Sequence, residues 1–331
     1  MIFGRSTKEN RYARQDILEF IASTGQKRLG KSRAAVIGLG ATGTIAAELL
    51  CRAGVGQLIL VDRDVVELDN LQRQLLYREK DIGHAKAEIA KMRLEKINST
   101  IKVYSHIIDL NHKNAETILK KMDVVLDCTD NLETRFLIND VCRTRKIRWV
   151  HSQAVKDIGS VIVFQHEKTS PCFQCIYENK ESELSCETHG VLNTLTAVVG
   201  ALQAQEAIKI LLNKEPARDL IRVSMMEPAL EHIGIKKREG CPVCTAKKFD
   251  YLSGEKMQKA AKLCGSSSVQ ILGKEKSLKK VKEKLEKLGK VEDYGYCIRF
   301  SEITLFNDGR ALIKAKSIEE ARILYTKYIG N

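Results

Sequence analysis

The stretch Arg33-Ala-Ala-Val-Ile-Gly-Leu-Gly-Ala-Thr-Gly43 decides how this 331-residue chain is to be read. A short apolar run ends at Gly38, a glycine-rich turn comes next, and from Thr42 to Ala53 the apolar residues recur at helical spacing. Strand, glycine turn and helix, in that order, are the setting in which Gly38-x-Gly40-x-x-Gly43 carries meaning. Its glycines let the backbone approach a phosphate, and the first turn of the helix offers unpaired amides with a partial positive charge. A second apolar run, Gln57 to Asp62, ends in an acid 19 residues beyond Gly43, where a carboxylate can accept hydrogen bonds from ribose hydroxyls. That pair alone suits a nicotinamide oxidoreductase as well as any other nucleotide-binding protein.

The alternation continues outward. Helix Lys86 to Ile97, strand Ile101 to Ser105, helix Asn114 to Lys120, strand Asp123 to Asp127, helix Asn131 to Arg145 and strand Ile147 to His151 are expected. Such alternation requires a mostly parallel sheet covered on both faces. Upstream, Glu9 to Gly30 reads as polar helix. Downstream come a strand, Ile158 to Gln165, a mobile connection, Pro171 to His189, and a long apolar helix, Val191 to Leu212. Small residues at Ala197, Gly200, Ala201 and Ala204 suit buried packing of that helix, a dimer interface being one place for it. Strands around Leu220 to Met225 and Glu231 to Ile235 come after it. Residues 1–246 therefore read as a doubly wound, Rossmann-like α/β domain. Residues 247–331 read as a separate small α+β module, with helices at Glu275 to Leu288 and Ile318 to Tyr328 and strands near Tyr294 to Phe300, Glu302 to Phe306 and Ala311 to Lys314.

Composition narrows the class. With 44% apolar and 29% charged residues and 4 prolines, the chain is an ordinary globular protein rather than a disordered or fibrous one. It contains no run of about 18 uncharged apolar residues, and Met1 to Asn10 carries charge where a signal peptide needs an apolar core. A cytoplasmic location away from membranes is expected. Of the net charge of +13, +8 lies in Ala246 to Asn331, which holds 19 basic and 11 acidic residues. Much of that excess sits in the lysines of one helix, so a solvated helix face accounts for it without nucleic acid.

The segment that begins at Asp62 separates the nucleotide classes. Asp62-Arg-Asp64-Val-Val-Glu-Leu-Asp-Asn70-Leu-Gln-Arg73-Gln74 gathers Asn70, Arg73 and Gln74 into one short polar segment, with Lys86 twelve residues further on. A planar guanidinium that grips two oxygens and an ammonium that acts as a point charge suit a chain of phosphates better than a nicotinamide. At the end of another expected parallel strand, Asp127-Cys-Thr-Asp130-Asn131 places Asp130 where it could hold magnesium through oxygen.

The order and spacing of Arg11-Tyr-Ala-Arg14-Gln15, the glycine turn, Asp62 to Asp64, Asn70 to Gln74, Lys86 and Asp130-Asn131 resemble the ThiF/MoeB/HesA family, prokaryotic relatives of ubiquitin-activating enzymes. The resemblance runs from Glu9 to Thr245. It implies ATP-dependent adenylation of the C-terminal glycine carboxylate of a small β-grasp, ubiquitin-like or sulfur-carrier protein ending in Gly-Gly, with release of pyrophosphate. It implies that Gly38, Gly40, Ala41, Gly43, Asp62, Asp64, Asn70, Arg73, Gln74, Lys86, Asp130 and Asn131 bind ATP and Mg2+. It also implies a homodimer, in which Arg14 reaches the neighbouring subunit's nucleotide. Ala41 departs from a glycine common in the family and needs a negative φ or slight strain there. The alternatives are a nicotinamide oxidoreductase, a non-catalytic scaffold of the same fold, and a superfamily member that adenylates tRNA.

The cysteines sort by context. Cys172-x-x-Cys175 and Cys241-x-x-Cys244 are two pairs in turn-rich sequence, separated by 65 residues, and could form a tetrahedral zinc clip or two unrelated thiol pairs. Zinc at the matching positions of the family selects the clip. Cys186 lies in a polar loop just before the long helix, a setting for a thiolate nucleophile. The resemblance makes it the position that captures the activated carrier in some members, with a separate sulfur-donor protein as the other route. His189 reads as a solvated loop histidine, and Cys51, Cys128 and Cys142 as core.

Overall fold

The computed structural model describes residues 10–177, 189–256, 260–262 and 268–330. The chain divides into two compact units, the larger holding the described residues through Glu255 and the smaller those from Lys256 onward.

The larger unit opens with two short helices, α1 (Ala13–Asp16) and α2 (Ala22–Leu29), in place of the one continuous helix that the sequence suggests. Then come β1 (Arg33–Ile37), α3 (Ala41–Ala53), β2 (Gln57–Val61), α4 (Lys86–Ile97), β3 (Lys102–His106), α5 (Ala115–Leu119), β4 (Val124–Asp127), α6 (Leu132–Arg145) and β5 (Trp149–Val155). They are followed by β6 (Ile158–Phe164), α7 (Phe173–Ile176), α8 (Asn193–Leu211), β7 (Leu220–Ser224), β8 (Ala229–Ile233) and α9 (Asp250–Ser253). The sheet order is β3-β2-β1-β4-β5-β6-β7-β8. From β3 to β5 the strands are parallel, and from β5 to β8 neighbours run antiparallel. The interior strands are mostly apolar, as a sheet covered on both faces demands, and β4 is buried at every residue, its terminal Asp127 included.

The chain leaves β1 toward β2 on one side, and β4 arrives on the other. That reversal opens a crevice beyond the carboxyl ends of β1 and β4, where ligands of doubly wound sheets collect. Of the small residues of α8, Gly200 and Ala204 are buried inside the chain and Ala197 is half-buried, while Ala201 is exposed. A Cβ on Gly200 would sit 2.8 Å from the Thr42 carbonyl, so glycine there lets α8 cross directly over the first turn of α3.

The boundary between the units differs from the expected 246/247. Residues 247–255 stay with the larger unit because Tyr251 stacks on Phe136 at 4.8 Å, and the amides of Tyr251 and Leu252 donate to Asp140 on α6 at 3.1 and 3.3 Å. The smaller unit is a six-stranded antiparallel sheet in the order β11-β12-β13-β14-β10-β9: β9 (Ala260–Lys262), β10 (Ser268–Leu272), β11 (Glu292–Asp293), β12 (Cys297–Phe300), β13 (Ile303–Phe306) and β14 (Arg310–Lys314). With it go helices α10 (Leu278–Leu285) and α11 (Ile318–Tyr328). Val281, Leu285, Ala321 and Tyr325 of the helices share one apolar core with Val269, Ile298, Leu305 and Ile313 of the sheet.

Candidate functional site

The glycine turn is fixed by steric necessity at two points. Gly38 has φ +87°, and a Cβ there would lie 2.7 Å from the Cys128 carbonyl of the neighbouring β4 loop. A Cβ on Gly43 would fall 2.0 Å from the Gly38 carbonyl, closing the tight turn into α3. Gly40, by contrast, faces open space; only the Gln74 amide lies near, at 3.9 Å from its built Cβ. Backbone and helix start therefore stand open to a ligand on that side. Ala41 begins α3 with no positive φ, meeting the expectation for a residue with a Cβ.

Asp62 does more than wait for ribose. Its Oδ2 accepts from the Leu39 amide at 2.6 Å and its Oδ1 from the Asp64 amide at 2.7 Å, tying the end of β2 to the middle of the glycine turn. Burial raises its carboxyl to about 6, against the pull of the Lys86 ammonium. Tyr77 holds the turn from the other side by donating to the Leu39 carbonyl at 2.8 Å.

Lys86 is 5% exposed and stands 3.6 Å from Asp64 Oδ2. Burial would lower its ammonium, yet the carboxylates of Asp64, Asp62, Asp130 and Glu67 outweigh that and raise it, so it is charged. Asp64 Oδ1 and Gln74 Oε1 are both buried and make no hydrogen bond to any described residue. Asp130 is solvent-accessible, but the protein packed around it raises its carboxyl above the usual range; Arg63 opposes the shift and Asp64 adds to it. Arg63 itself is held by Asp109 at 2.8 Å. A cluster of Lys86, Arg63, Asp64 and Asp130 thus surrounds the open face of the glycine turn. The unpartnered Asp64 oxygen and the accessible Asp130 carboxylate form an oxygen donor set that fits a hard divalent cation.

Other sequence-predicted residues take local roles. Asn70 is 1% exposed; its Oδ1 accepts from the Glu67 amide at 3.2 Å and its Nδ2 donates to Asp69 at 2.8 Å. Arg73 is half-buried and donates to the Asp69 carbonyl at 2.8 Å. Asn131 caps α6, accepting from the Thr134 amide at 2.9 Å. Arg14 lies at the opposite end of the sheet. Its neighbours anchor it there: Tyr12 packs on Gly54 after α3, Gln15 donates to the Ala53 carbonyl at 3.2 Å, and Arg11 donates to the Ile97 carbonyl at 3.0 Å. The 13-residue α3 separates these contacts from the glycine turn by about 20 Å at 1.5 Å per residue. Cys186 and Cys264 lie outside the described residues.

Gln203, in the middle of α8, carries no signal in the sequence. It donates to the Asp127 and Val150 carbonyls at 2.8 and 2.9 Å, and accepts from Ser152 at 3.0 Å, locking the ends of β4 and β5 together. Nothing in a helical pattern distinguishes such a glutamine from a solvated one.

The two cysteine pairs converge. All four sulfurs lie within 4.8 Å of one another, with Cys172–Cys175, Cys172–Cys241 and Cys175–Cys244 at 3.8, 3.7 and 3.7 Å. Four thiolates around zinc at about 2.3 Å place neighbouring sulfurs about 3.8 Å apart. A disulfide needs about 2.05 Å. Cys172 and Cys241 are buried with Val243, in an apolar setting that favours a closed structural site. Cys51 and Cys142 are buried in the core, and Cys128 is half-buried beside Gln203, its thiol pushed up beyond the normal range by burial.

Fold and site together define an α/β nucleotide-binding enzyme with a glycine turn, a buried lysine and a charge cluster at its switch point, joined to a cysteine clip. The chain belongs to the ThiF family, whose model matches residues 12–243. It is 35% identical to the sulfur carrier protein ThiS adenylyltransferase of Bacillus subtilis, over 97% of this chain and 99% of that protein. The protein of the same name from Escherichia coli is 38% identical over 72% of this chain and 96% of its own length. The SAMP-activating enzyme E1 of Haloferax volcanii is 35% identical over 72% of this chain and 90% of its own length. Among solved structures, E. coli MccB with ATP has the same fold, with a TM-score of 0.63 and 24% identity over 72% of this chain and 75% of that one. Among the described residues, no helix is long and apolar enough to cross a membrane.

Proposed function

We propose that the protein adenylates the C-terminal glycine carboxylate of a small β-grasp sulfur-carrier or ubiquitin-like protein ending in Gly-Gly. The observation that carries this reading is the convergence of buried Lys86 with Arg63, Asp64 and Asp130 on the open side of the Gly38–Gly43 turn. The names of relatives that act on ThiS and SAMP support the substrate class, and none of these relatives is a nicotinamide oxidoreductase.

In the proposed step, a carboxylate oxygen of the carrier attacks the α-phosphorus of ATP. A bond forms between that oxygen and phosphorus, giving a mixed carboxylic–phosphoric anhydride, the bond to the β-phosphate bridging oxygen breaks, and pyrophosphate leaves with the electron pair. A carboxylate needs no general base, so catalysis is positioning and charge neutralisation. The glycine-turn amides and the start of α3 receive phosphate oxygens. Lys86 and Arg73 neutralise them, Gln74 offers its free carbonyl oxygen to a donor on the ligand, and Asp62 keeps the turn in place while its remaining lone pairs face ribose. Asp130 and Asp64 would hold Mg2+, which spreads the phosphate charge.

Arg14 completes the site from a second copy. Its anchorage at the far end of α3 puts it beyond reach of its own chain's glycine turn, so a role at the nucleotide requires a homodimer. The clip of Cys172, Cys175, Cys241 and Cys244 holds structural zinc and ties α7 to the segment after β8. Capture of the adenylate falls to Cys186 or to a sulfur-donor protein, and residues 256–330 form an accessory unit that the Bacillus relative shares. Intact-mass spectrometry tests the reading. With Mg·ATP and a Gly-Gly carrier, the carrier gains the mass of an adenylyl group, AMP less one water, when wild-type protein is present; a carrier unmodified under the same conditions contradicts it.

A further inference from the structure

Behind the cleft, one buried histidine is left without work by the mechanism above. His151 on β5 is fully buried, and its Nδ1 lies 2.7 Å from Asp127 Oδ2 at the end of β4. Asp127 is equally buried. Burial acts to raise its carboxyl, but the His151 hydrogen bond, the Arg135 guanidinium and Thr129 hold it below the usual range. Burial keeps His151 neutral despite Asp127. An ionised carboxylate only accepts, so Nδ1 carries the proton and donates. Nε2 is buried and has no hydrogen-bond partner among the described residues, and the ring is enclosed by Trp149, Phe173 and Tyr177. A histidine with one committed nitrogen and one orphaned one is costly to keep in a core.

The other oxygen of Asp127 shows what the cost achieves. Oδ1 accepts from the Thr129 amide at 3.0 Å and the Thr129 hydroxyl at 2.7 Å. Arg135 grips the same residue from the opposite side, its Nε and Nη2 donating to the Thr129 carbonyl at 3.2 and 2.5 Å. Thr129 is thereby clamped at both ends, and the next residue is Asp130. Arg135 Nε also lies 3.9 Å from Asp127 Oδ2, too far for a hydrogen bond yet near enough to become one. His151 occupies that oxygen and keeps the two charges apart. Without it, Asp127 would rotate onto Arg135, both would release Thr129, and Asp130 would lose its fixed position.

We infer that His151 is a positioning residue for adenylation: through Asp127 it holds the Thr129 turn that presents Asp130 to the metal-bound phosphates. The inference rests on the adenylation reading for its catalytic arm and on Mg·ATP binding alone for its second arm. His151→Phe keeps an aromatic ring in the Trp149–Phe173–Tyr177 enclosure but removes the donor. His151→Asn restores a donor at nearly the same place. With ATP–pyrophosphate exchange run well below the melting temperature of each variant, His151→Phe should need about tenfold more Mg2+ for half-maximal rate, the scale of one charge-assisted hydrogen bond. His151→Asn should stay within about twofold of wild type, since it keeps that bond. Calorimetric titration of each variant with Mg·ATP, with no carrier present, is the second readout. The same ranking is expected there. An unchanged Mg2+ midpoint in His151→Phe, or an equal loss in His151→Asn, would overturn the inference. Wild-type protein that binds Mg·ATP but never exchanges pyrophosphate would instead sink the adenylation reading, leaving the calorimetric ranking to decide the role of His151.

Discussion

The cleft between β1 and β4 and the cysteine cluster hold their parts by opposite means. In the cleft, side chains are fixed by many separate hydrogen bonds: Asp62 to Leu39 and Asp64, Tyr77 to Leu39, Asp127 to Thr129. The cluster joins two segments 65 residues apart through four sulfurs, with Arg238 donating to the Gln174 carbonyl at 3.0 Å and Lys237 to the Lys168 carbonyl at 3.2 Å beside them. The difference teaches how each should fail. A cleft of many small restraints loses chemistry while the fold survives, whereas a clip loses the fold of its neighbourhood when any one ligand goes.

The largest effect falls on the cleft. Asp130→Ala should reduce adenylation about 10³-fold or more, the scale of removing a group that organises transition-state charge, with the circular dichroism melt unchanged; full activity would remove Asp130 from the site. Arg14→Ala should lose roughly 10²-fold, a typical cost for one charged contact to the reacting group. Mixing it with Asp130→Ala should then restore about a quarter of wild-type rate, because half the dimers are mixed and each holds one intact site. No recovery on mixing would show that Arg14 does not act across subunits.

Cys241→Ser should do the reverse of Asp130→Ala. Zinc measured by mass spectrometry should disappear and the melting temperature should fall by about 10 °C, corresponding to about 3–5 kcal/mol in a unit of this size, with exchange reduced only in proportion to the folded fraction. A variant that keeps its melting point but loses exchange would erase the contrast between clip and cleft. Gly43→Ala tests the border of the two behaviours. Its Cβ would collide with a backbone carbonyl 2.0 Å away, so nucleotide affinity and melting temperature should drop together.

The smallest effect concerns Asp140, which is buried, with its carboxyl raised by burial to about 7 from 3.8. The folded state then holds a proton that the unfolded state has lost, so this group's contribution to stability falls as pH rises from about 4 to about 7. Asp140→Asn lacks that dependence. Relative to wild type it should gain in melting temperature by a few degrees between pH 5 and pH 8. A difference that is flat with pH would mean that the carboxylate ionises freely against the amides of Tyr251 and Leu252.

The same contrast marks what was legible in the sequence. Strand, glycine turn and helix at Arg33 to Ala53, the acid at the end of β2 and the helix Lys86–Ile97 are local patterns, and each stands where its spacing places it. The gathering of Lys86, Asp64 and Asp130 comes from strand order, because β1 and β4 are neighbours only in the sheet. Tyr77, Arg63, Gln203 and the Arg135–Asp127–His151 group carry no local signal because their partners lie far away in the chain: Gln203 is 76 residues from the Asp127 carbonyl it binds. Conversely, Asn70 and Asn131 match a motif, and their side chains close turns and caps. In the smaller unit, β10 is hard to read because Ser-Ser-Ser-Val-Gln-Ile-Leu272 gives only a brief apolar signal after three serines, and its partners β14 and β9 lie on either side of it in sequence.

The most direct test of adenylation is ATP–pyrophosphate exchange by the purified protein, with and without a small β-grasp protein ending in Gly-Gly. Exchange should appear with the carrier and vanish when the carrier's terminal glycine is removed or its carboxylate amidated. Exchange that ignores the carrier's C-terminus, or its absence with every carrier of this type, would contradict the assignment.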